Sequence, residues 1–448
     1  MSRPRKLRFW QIATIILLVM GYAGFYLCRS NLSVAMPLII DELAARGVDR
    51  GAAKNQLGLI ISLGTLGYAI GKFAAGGLVD LLGGRRNYLV GMGGAVVCTM
   101  LFTLGGSIPI FSLVWFSNRL IQSIGWPGMI KIVSRWFSHR RYGAVMGVVS
   151  LSFLFGDALA RGFMGLLLSG GIRWRGVFWI AGSIVGGLWL ASALFLRESP
   201  LDRDLPEPET TPANLFGSDG GDPNPTAFGP LLATFARSRL FWMVCVLSLG
   251  MTLLRETFNA WIPTFFVEDL GLTKAQAARA SALFPLFGGF SVMIAGLLGD
   301  WFGRKGRATV MLAGMMLCGL VLGILAAGDY RGRPNDGVIL ITVVGFLLIG
   351  PYAYLAGAIS LDLGGKRAGA TASGLIDGVG YLGGVFSGLA TAQVQGRYGW
   401  SGVFSALAAV AFLTSLAAAV FLADVLLAPP ILNTSGEPMP DDESRSDS

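Results

Sequence analysis

The stretch "GYAGFYLCRSNLSVAMP" (Gly21–Pro37) lies inside an apolar run from Trp10 to Ile40, and Arg29 is the single charged residue of that run. An apolar run of about 30 residues is longer than the hydrophobic core of a signal peptide and predicts an uncleaved membrane-spanning helix. An arginine near the centre of such a helix costs roughly 2.5 to 3.5 kcal/mol on insertion scales. Arg29 therefore needs a partner or a function.

The composition of the whole chain is that of an integral membrane protein. Of its 448 residues, 53% are hydrophobic and only 14% are charged, whereas soluble domains have about 25% charged residues. The net charge of +9 therefore does not indicate nucleic-acid binding. We expect the lipid bilayer as surroundings and no nucleic-acid partner.

Cysteine and histidine usage argues against metal and enzyme chemistry. The four cysteines lie in apolar segments without metal-ligand spacing, which predicts buried thiols: Cys28, Cys98, Cys245 and Cys318. The single histidine, His139, lies in a polar loop and excludes a histidine-based metal site or triad. We expect no metal, no cofactor and no catalytic constellation.

Apolar segments long enough to span a membrane predict twelve helices in an all-α protein, arranged as two bundles of six. The segments are 10–40, 56–80, 87–107, 109–133, 143–168, 176–196, 238–267, 276–299, 307–327, 337–361, 368–393 and 400–427. The predicted divisions are an N-terminal half (1–196), a Pro-, Gly- and acid-rich linker (197–237), a C-terminal half (238–427) and a disordered tail (428–448).

The short loops predict the orientation. Basic loops such as "GGRRN", "FGRKGR" and "GGKR" fall on one side with the N-terminal "MSRPRKLR", and "GIRWR" is the exception on the other side. The excess of lysine and arginine predicts that both termini are cytoplasmic. In a bacterium the location is the inner membrane.

An internal repeat relates the two halves. "RRYGAV" (140–145) matches "KRAGAT" (366–371) at an offset of 226, and Trp174 and Trp400 show the same offset. Asp80 and Asp300 lie 220 positions apart in matching loop motifs. Two tandem six-helix halves are the layout of major facilitator transporters, which bind substrate between the halves near the membrane midplane.

The same offset links two arginines. Position 255 lies 226 residues after Arg29 and is also an arginine, within "SLGMTLLRETFNAWIPTFF". Local pairing of Arg255 with Glu256 is disfavoured, because adjacent helix residues point about 100° apart. Two guanidiniums across one cavity suit an anion that accepts bidentate hydrogen bonds, with phosphate as the leading candidate.

The motifs "GYAGFYLCRSNLSVAMP", "GYAIGKFAAGGLVD", "LIQSIGWPG", "SRWF", "IPTFF" and "GYLGG" resemble the organophosphate:phosphate antiporter family of the major facilitator superfamily over roughly residues 10–425. The resemblance implies exchange of a phosphorylated sugar or a three-carbon phosphate ester for inorganic phosphate, by a carrier that works as a monomer. Arg29 and Arg255 match the family's phosphate-binding arginines. Lys72 matches a lysine near the family's binding site.

Departures from the family, and the sensor role of some of its members, leave two alternatives open. Phe153 stands where glycerol-phosphate members carry a histidine, and Asp157 and Arg161 follow it at a spacing that allows them to pair. Arg119 resembles an arginine of proton-coupled facilitators, so Arg119, Asp157 and Arg161 are candidate coupling residues. One alternative is a proton-coupled symporter of a hexuronate-like organic anion. The other is a transporter-like sensor of hexose phosphate.

Two further sets of residues complete the predicted machinery. Tyr26 lies three residues before Arg29 and shares its helix face, and Asp377 is a candidate to bind sugar hydroxyls or to neutralise Lys72. Charges in the repeated loop motif are predicted to close the cytoplasmic side through ion pairs. These gating residues are Asp80, Arg85, Arg86, Asp300, Arg304 and Lys305.

Overall fold

A computed structural model of the chain describes residues 3–105, 107–137, 139–206, 235–355 and 359–427, and within these ranges the regular elements are helices. The α-helices are α1 (Arg3–Leu27), α2 (Asn31–Ala45), α3 (Arg50–Leu82), α4 (Gly84–Leu104), α5 (Ile108–Gln122), α6 (Gly125–Trp136), α7 (His139–Ser169), α8 (Trp174–Phe195), α9 (Arg239–Glu268), α10 (Lys274–Ala280), α11 (Leu283–Ala327), α12 (Pro334–Tyr354), α13 (Ser360–Gly384) and α14 (Leu389–Leu427). Short 3₁₀ helices occur at Pro200–Arg203 and Val385–Ser387.

Nine helical stretches in these ranges are long and apolar enough to cross a membrane. The last, Ala372–Leu427, has 56 residues and a break at Gly399, where φ is 68°. At 1.5 Å per residue it is long enough for two crossings. The predicted fourth and fifth crossings are formed by α5 with α6 and by α7. The arrangement is consistent with twelve crossings.

The outer surface of the bundle is apolar. Ile16, Leu113, Leu297 and Leu416 are each more than half exposed, and similar side chains line most of the long helices. So much exposed hydrocarbon is far more than a water-soluble monomer presents. The surface suits lipid chains, in keeping with a multi-pass membrane protein.

The first predicted crossing is interrupted at Arg29. The sequence predicts one continuous helix over 10–40, but α1 ends at Leu27 and α2 begins at Asn31. Neither glycine nor proline lies at the break. The side chain of Gln122 donates from Nε2 to the carbonyl of Cys28 at 3.2 Å, satisfying a backbone group that the break releases. Arg255, by contrast, lies within the unbroken α9.

Among the described residues, 3–206 are here called the first half and 235–427 the second half. Residues 197–206, which belong to the predicted linker, are ordered against the first half: the Arg203 guanidinium lies 3.8 Å over the ring of Trp10, and Leu205 is buried. The rest of the linker, 207–234, and the tail, 428–448, lie outside the described residues.

The halves meet closely on the side that carries loops 46–49, 170–173 and 269–273, here called the distal side. A Cβ on Gly58 would lie 2.9 Å from the carbonyl oxygen of Gly388, and one on Gly388 would lie 2.2 Å from the carbonyl oxygen of Gly58. Only glycine at both positions permits this backbone contact between α3 and the segment before α14.

Two reciprocal ion pairs also join the halves on the distal side. Asp41 of α2 pairs with Lys274 of α10, and Lys54 of α3 lies 2.9 Å from the carboxylate of Glu268 in α9. Asp41 and Glu268 are 227 positions apart and Lys54 and Lys274 are 220 apart, close to the repeat offsets. Each pair thus joins an acid of one half to a lysine of the other in repeat-related positions.

The Glu268–Lys54 pair generates a prediction about closure. Glu268→Lys places like charges together, so we expect faster labelling of an Ala392→Cys variant by a membrane-impermeant maleimide. Ala392 is 2% exposed and lies against Gly58. Adding Lys54→Glu restores an opposite-charge pair and should return the labelling rate toward that of Ala392→Cys alone.

The matched control is Asp336→Lys on the same background, because Asp336 pairs at 3.7 Å with Arg333 of its own half and is 48% exposed. It makes the same charge change without touching the seam. Labelling that rises equally in the Glu268→Lys and Asp336→Lys variants would contradict the prediction.

Candidate anion-binding site

A cavity of about 80 Å³ lies between the halves, several times the space that one buried water needs. Arg29 of the first half and Arg255 of the second both line it. The other charged or polar lining residues are Tyr26, Ser30, Ser33, Thr65, Arg119, Asp157, Arg161, Glu256, Asn259 and Tyr381. The repeat-related arginines therefore face one cavity, as the sequence predicts.

The break between α1 and α2 places the Arg29 guanidinium among aromatic rings. Its Nε donates to Oε1 of Gln122 at 3.1 Å, and its Nη2 donates to the hydroxyl of Tyr68 at 3.3 Å. The guanidinium also lies 5.0 Å from the ring centroid of Tyr26, the neighbour predicted from helical spacing. These partners are neutral, so they orient the charge without cancelling it.

Arg255 has one neutral and one acidic partner. Its Nη2 donates to the hydroxyl of Tyr381 at 2.6 Å and to Oε1 of Glu256 at 3.0 Å, and the guanidinium lies 4.2 Å from the ring centroid of Tyr352. Among the described residues, its buried Nε has no hydrogen-bond partner.

Arg255 and Glu256 do pair, contrary to the expectation from their spacing. Adjacent side chains leave a helix about 100° apart. The arginine side chain is nevertheless long enough to curve back, and the contact is made by its terminal Nη2.

Two tyrosines connect the arginines across the interface. Tyr68 of α3 and Tyr381 of α13 have ring centroids 4.6 Å apart. Each accepts from the arginine of its own half, so hydrogen bonds and a ring contact run from Arg29 to Arg255. Neither tyrosine is among the site residues predicted from the sequence. The available signal was their spacing, since Tyr68 precedes Lys72 by four residues and Tyr381 follows Asp377 by four.

Arg119 joins the halves through an acid. Its Nη2 lies 3.3 Å from Oε2 of Glu256, and its guanidinium lies 4.7 Å from the ring centroid of Tyr68. The two side chains are only 5% and 11% exposed. Glu256 thus contacts Arg119 of α5 and Arg255 of α9 with different oxygens.

The predicted pair of Asp157 and Arg161 forms on α7 and is deeply buried. Arg161 Nε lies 3.0 Å from Asp157 Oδ1, with side-chain exposures of 2% and 7%. The hydroxyl of Ser30 donates to the same carboxylate oxygen, and Arg161 Nη2 donates to the carbonyl of Asn259 in the second half at 3.0 Å. In the described part of the chain, the buried Arg161 Nη1 has no partner.

Lys72 and Asp377 pair with each other beside the cavity. Lys72 Nζ lies 3.0 Å from Asp377 Oδ2, and the hydroxyl of Tyr352 donates to Asp377 Oδ1 at 3.4 Å. Neither residue is among those that line the cavity. The sequence predicts that Asp377 either binds sugar hydroxyls or neutralises Lys72, and this geometry favours neutralisation of Lys72.

The charges around the cavity do not balance. Four arginines and two acids line it, so at neutral pH the lining carries an excess of two positive charges. An arrangement of this kind attracts and orients an anion, and the water-poor surroundings strengthen the attraction.

The predicted gating charges are only partly described. Arg85 donates from Nε to the carbonyl of Leu196 at 2.8 Å and from Nη2 to that of Ala193 at 2.7 Å, both within its own half. Arg86 and Lys305 are exposed. The side chains of Asp80, Asp300 and Arg304 lie outside the described residues, so a gating role stays a prediction.

No cluster of three potential metal-ligating side chains occurs among the residues described. The four cysteines are free thiols, and Cys98 alone of them is not fully buried.

Comparisons with known proteins agree with this architecture. The Major Facilitator Superfamily model matches residues 18–388. Solved structures with the same fold include a POT family transporter in complex with a thioalcohol conjugated peptide (TM-score 0.70, 15% identity, 92% of this chain and 96% of the other covered). A bacterial homolog of the human lysosomal transporter Spinster matches with a TM-score of 0.68 at 14% identity, covering 92% and 96%.

Curated relatives cover nearly the whole chain. A probable hexose phosphate transport protein of Chlamydia trachomatis is 28% identical over 426 residues, covering 91% of this chain and 90% of the relative. The glycerol-3-phosphate transporter of Bacillus subtilis is 25% identical, covering 90% and 91%. The membrane sensor protein UhpC of Escherichia coli is 25% identical, covering 93% of each. These relatives match the organophosphate:phosphate antiporter family.

The buried pair on α7 generates a stability prediction. Arg161→Met leaves the Asp157 carboxylate buried without its cation, so we expect destabilisation on the order of 3–5 kcal/mol. The measurement is the unfolding free energy of the purified protein in mixed micelles.

The control is Arg46→Met, which breaks the i, i+4 pair of Arg46 with Glu42. The side chains of this pair are 59% and 28% exposed, respectively. Exposed pairs of this spacing contribute about 0.3–0.5 kcal/mol. Equal losses in the two variants would show that the buried pair is no more important for stability than the exposed one.

Proposed function

The chain belongs to the Major Facilitator Superfamily, and we propose that it is a secondary transporter that exchanges an organophosphate for inorganic phosphate. The all-α integral membrane fold predicted from the sequence is the fold of this superfamily. The superfamily and the relatives of Chlamydia trachomatis and Bacillus subtilis are transporters, not enzymes.

The names of the relatives support a phosphorylated substrate. Those of Chlamydia trachomatis and Bacillus subtilis are named for hexose phosphate and glycerol-3-phosphate transport. Both align over about nine-tenths of this chain. A sugar phosphate or a three-carbon phosphate ester is therefore the proposed organic substrate.

The observation that carries the proposal is the arginine pair in one cavity. Arg29 and Arg255 reach it from opposite halves, and the lining has an excess of two positive charges. A phosphate ester carries close to two negative charges at neutral pH, with oxygens that match the donor fork of a guanidinium. One dianion thus neutralises the cavity and is held by both halves at once.

The same charge argues for exchange over one-way transport. Arginine stays charged at working pH, so an empty cavity keeps its excess charge when it closes away from water. That closure is electrostatically costly, whereas a cavity loaded with a dianion is neutral. We therefore expect the carrier to change sides efficiently only with phosphate or an organophosphate bound.

Movement of the halves completes the proposed mechanism. In this mechanism the two halves rock about the cavity, linked by the segment between them. The distal seam of Gly58, Gly388 and the two ion pairs is closed in this structure. With cytoplasmic termini, as the basic loops predict, the distal side faces outward. The proposed carrier is a monomer in the cell membrane, the inner membrane in a bacterium.

A sensor is the second candidate, because the Escherichia coli relative is named a membrane sensor. Such a protein would bind hexose phosphate without moving it. Proton-coupled uptake of a hexuronate-like anion is the other alternative, prompted by Arg119, since a carboxylate also accepts a guanidinium fork.

The decisive test is uptake of labelled phosphate into proteoliposomes that contain unlabelled phosphate, without a proton gradient. We expect rapid exchange that hexose phosphates and glycerol phosphate inhibit. Phosphate binding without exchange would favour the sensor, and uptake of a hexuronate that requires a proton gradient would favour the symporter.

Arg29→Lys and Arg255→Lys each keep the charge but remove the fork. We expect phosphate exchange to fall at least about tenfold in each, the scale of one lost charge-assisted hydrogen bond, with unchanged yield and size-exclusion profile. Arg175→Lys is the control, because Arg175 pairs with Glu42 away from the cavity and is 39% exposed. Exchange at the wild-type rate in either cavity variant would contradict the proposed site.

A further inference from the structure

The Glu256 carboxylate is bound to the Arg255 guanidinium, which is one of the two groups proposed to bind the substrate. Its Oε1 accepts from Arg255 Nη2 at 3.0 Å, and its Oε2 lies 3.3 Å from Arg119 Nη2 in the other half. Asn259, one turn later, donates to Oε1 at 3.5 Å. In this structure the carboxylate takes the position of an anion between two cations of the cavity.

The surroundings hold this carboxylate in place. Glu256 is 9% exposed, and its Cγ lies so near Gly384 of α13 that a Cβ there would be 3.2 Å from it. Arg255 still has a buried Nε without a partner among the described residues, so Glu256 uses only part of its fork. The guanidinium is thus partly neutralised and partly free for a second anion.

A phosphate arriving at Arg255 meets a like charge bound to the same Nη2. Two anions on one donor repel each other, and the stronger bidentate acceptor displaces the weaker one. Glu256 does not become an unpaired buried charge when displaced, because its other oxygen already faces Arg119.

We propose that Glu256 is a built-in competitor for the substrate anion: it holds Arg255 in the empty carrier, and the substrate phosphate displaces it onto Arg119. The inference rests on the proposed function. Competition of this kind weakens substrate binding and speeds release, which an exchanger needs on both sides of the membrane. Glu256 is accordingly a residue that sets affinity and turnover without contacting the substrate.

Asp157 provides a matched comparison, because it is also a buried acid lining the cavity. Its side-chain partners, Arg161 and Ser30, belong to its own half. Asp157→Asn and Glu256→Gln therefore add the same positive charge to the cavity, but only Glu256→Gln removes an anion from Arg255.

The experiment measures the Kd for inorganic phosphate by titration calorimetry on the purified carrier, and the KM and maximal rate of phosphate exchange in proteoliposomes. For Glu256→Gln we expect Kd and KM to fall roughly tenfold, the scale of removing one nearby like charge. The maximal rate should fall as well, because release slows. For Asp157→Asn, which also adds a positive charge to the cavity, we expect Kd to fall by a smaller factor, about threefold, because Glu256 still occupies Arg255.

A simultaneous fall in KM and maximal rate is expected only if Glu256 competes with the substrate. If the ion pairs of Glu256 were purely structural, their loss would weaken phosphate binding and raise KM. If Glu256→Gln does not purify as a monodisperse protein, Glu256→Asp keeps the charge but is one methylene too short to reach both arginines. It should then tighten binding by a smaller factor.

Unchanged or weaker phosphate binding in a monodisperse Glu256 variant would overturn the inference, and so would equal tightening in Asp157→Asn. Wild-type protein that binds neither phosphate nor a sugar phosphate would instead overturn the proposed function. The two failures are therefore distinguishable.

Discussion

Positive charge buried inside a membrane-spanning bundle is the constraint on which the rest of this structure depends. A guanidinium in such a place needs a partner, because the bilayer supplies no water to solvate it. Four arginines line one cavity, and tyrosine hydroxyls, a glutamine, a backbone carbonyl and two acids converge on them. The acids are fewer than the arginines. In the proposed transporter, this residual charge is what attracts the substrate anion.

The two repeat-related arginines have different partners, although they occupy equivalent positions in the two halves. Arg29 sits at a helix break and is surrounded by neutral partners, whereas Arg255 lies in a continuous helix and shares its charge with Glu256. A symmetric fold thus holds an asymmetric site. In the proposed transporter, a single bound anion would interact with a fully positive group on one side and a partly neutralised one on the other.

Much of this organisation could be predicted from the sequence. Hydropathy predicted the helical membrane fold, the repeat offset paired Arg29 with Arg255, and helical spacing placed Tyr26 beside Arg29 and Asp157 beside Arg161. The break at Cys28–Ser30 was not predicted, because no glycine or proline marks it and a side chain from α5 compensates it. The contacts of Tyr68 with Tyr381 and of Arg119 with Glu256 join positions that the repeat does not relate. Only three-dimensional packing brings such residues together.

The contact of Gly58 with Gly388 bears on how such a seam can open. Side chains that interlock must change rotamer before two surfaces part, and each change adds to the barrier. Here backbone lies against backbone, with no side chain of either glycine between them. The hydroxyl of Ser62 joins the same contact: it donates to the carbonyl of Val385 at 2.5 Å and accepts from the backbone N–H of Leu389 at 3.0 Å. In the proposed carrier, opening this seam would break these hydrogen bonds but would require no rotamer change at either glycine.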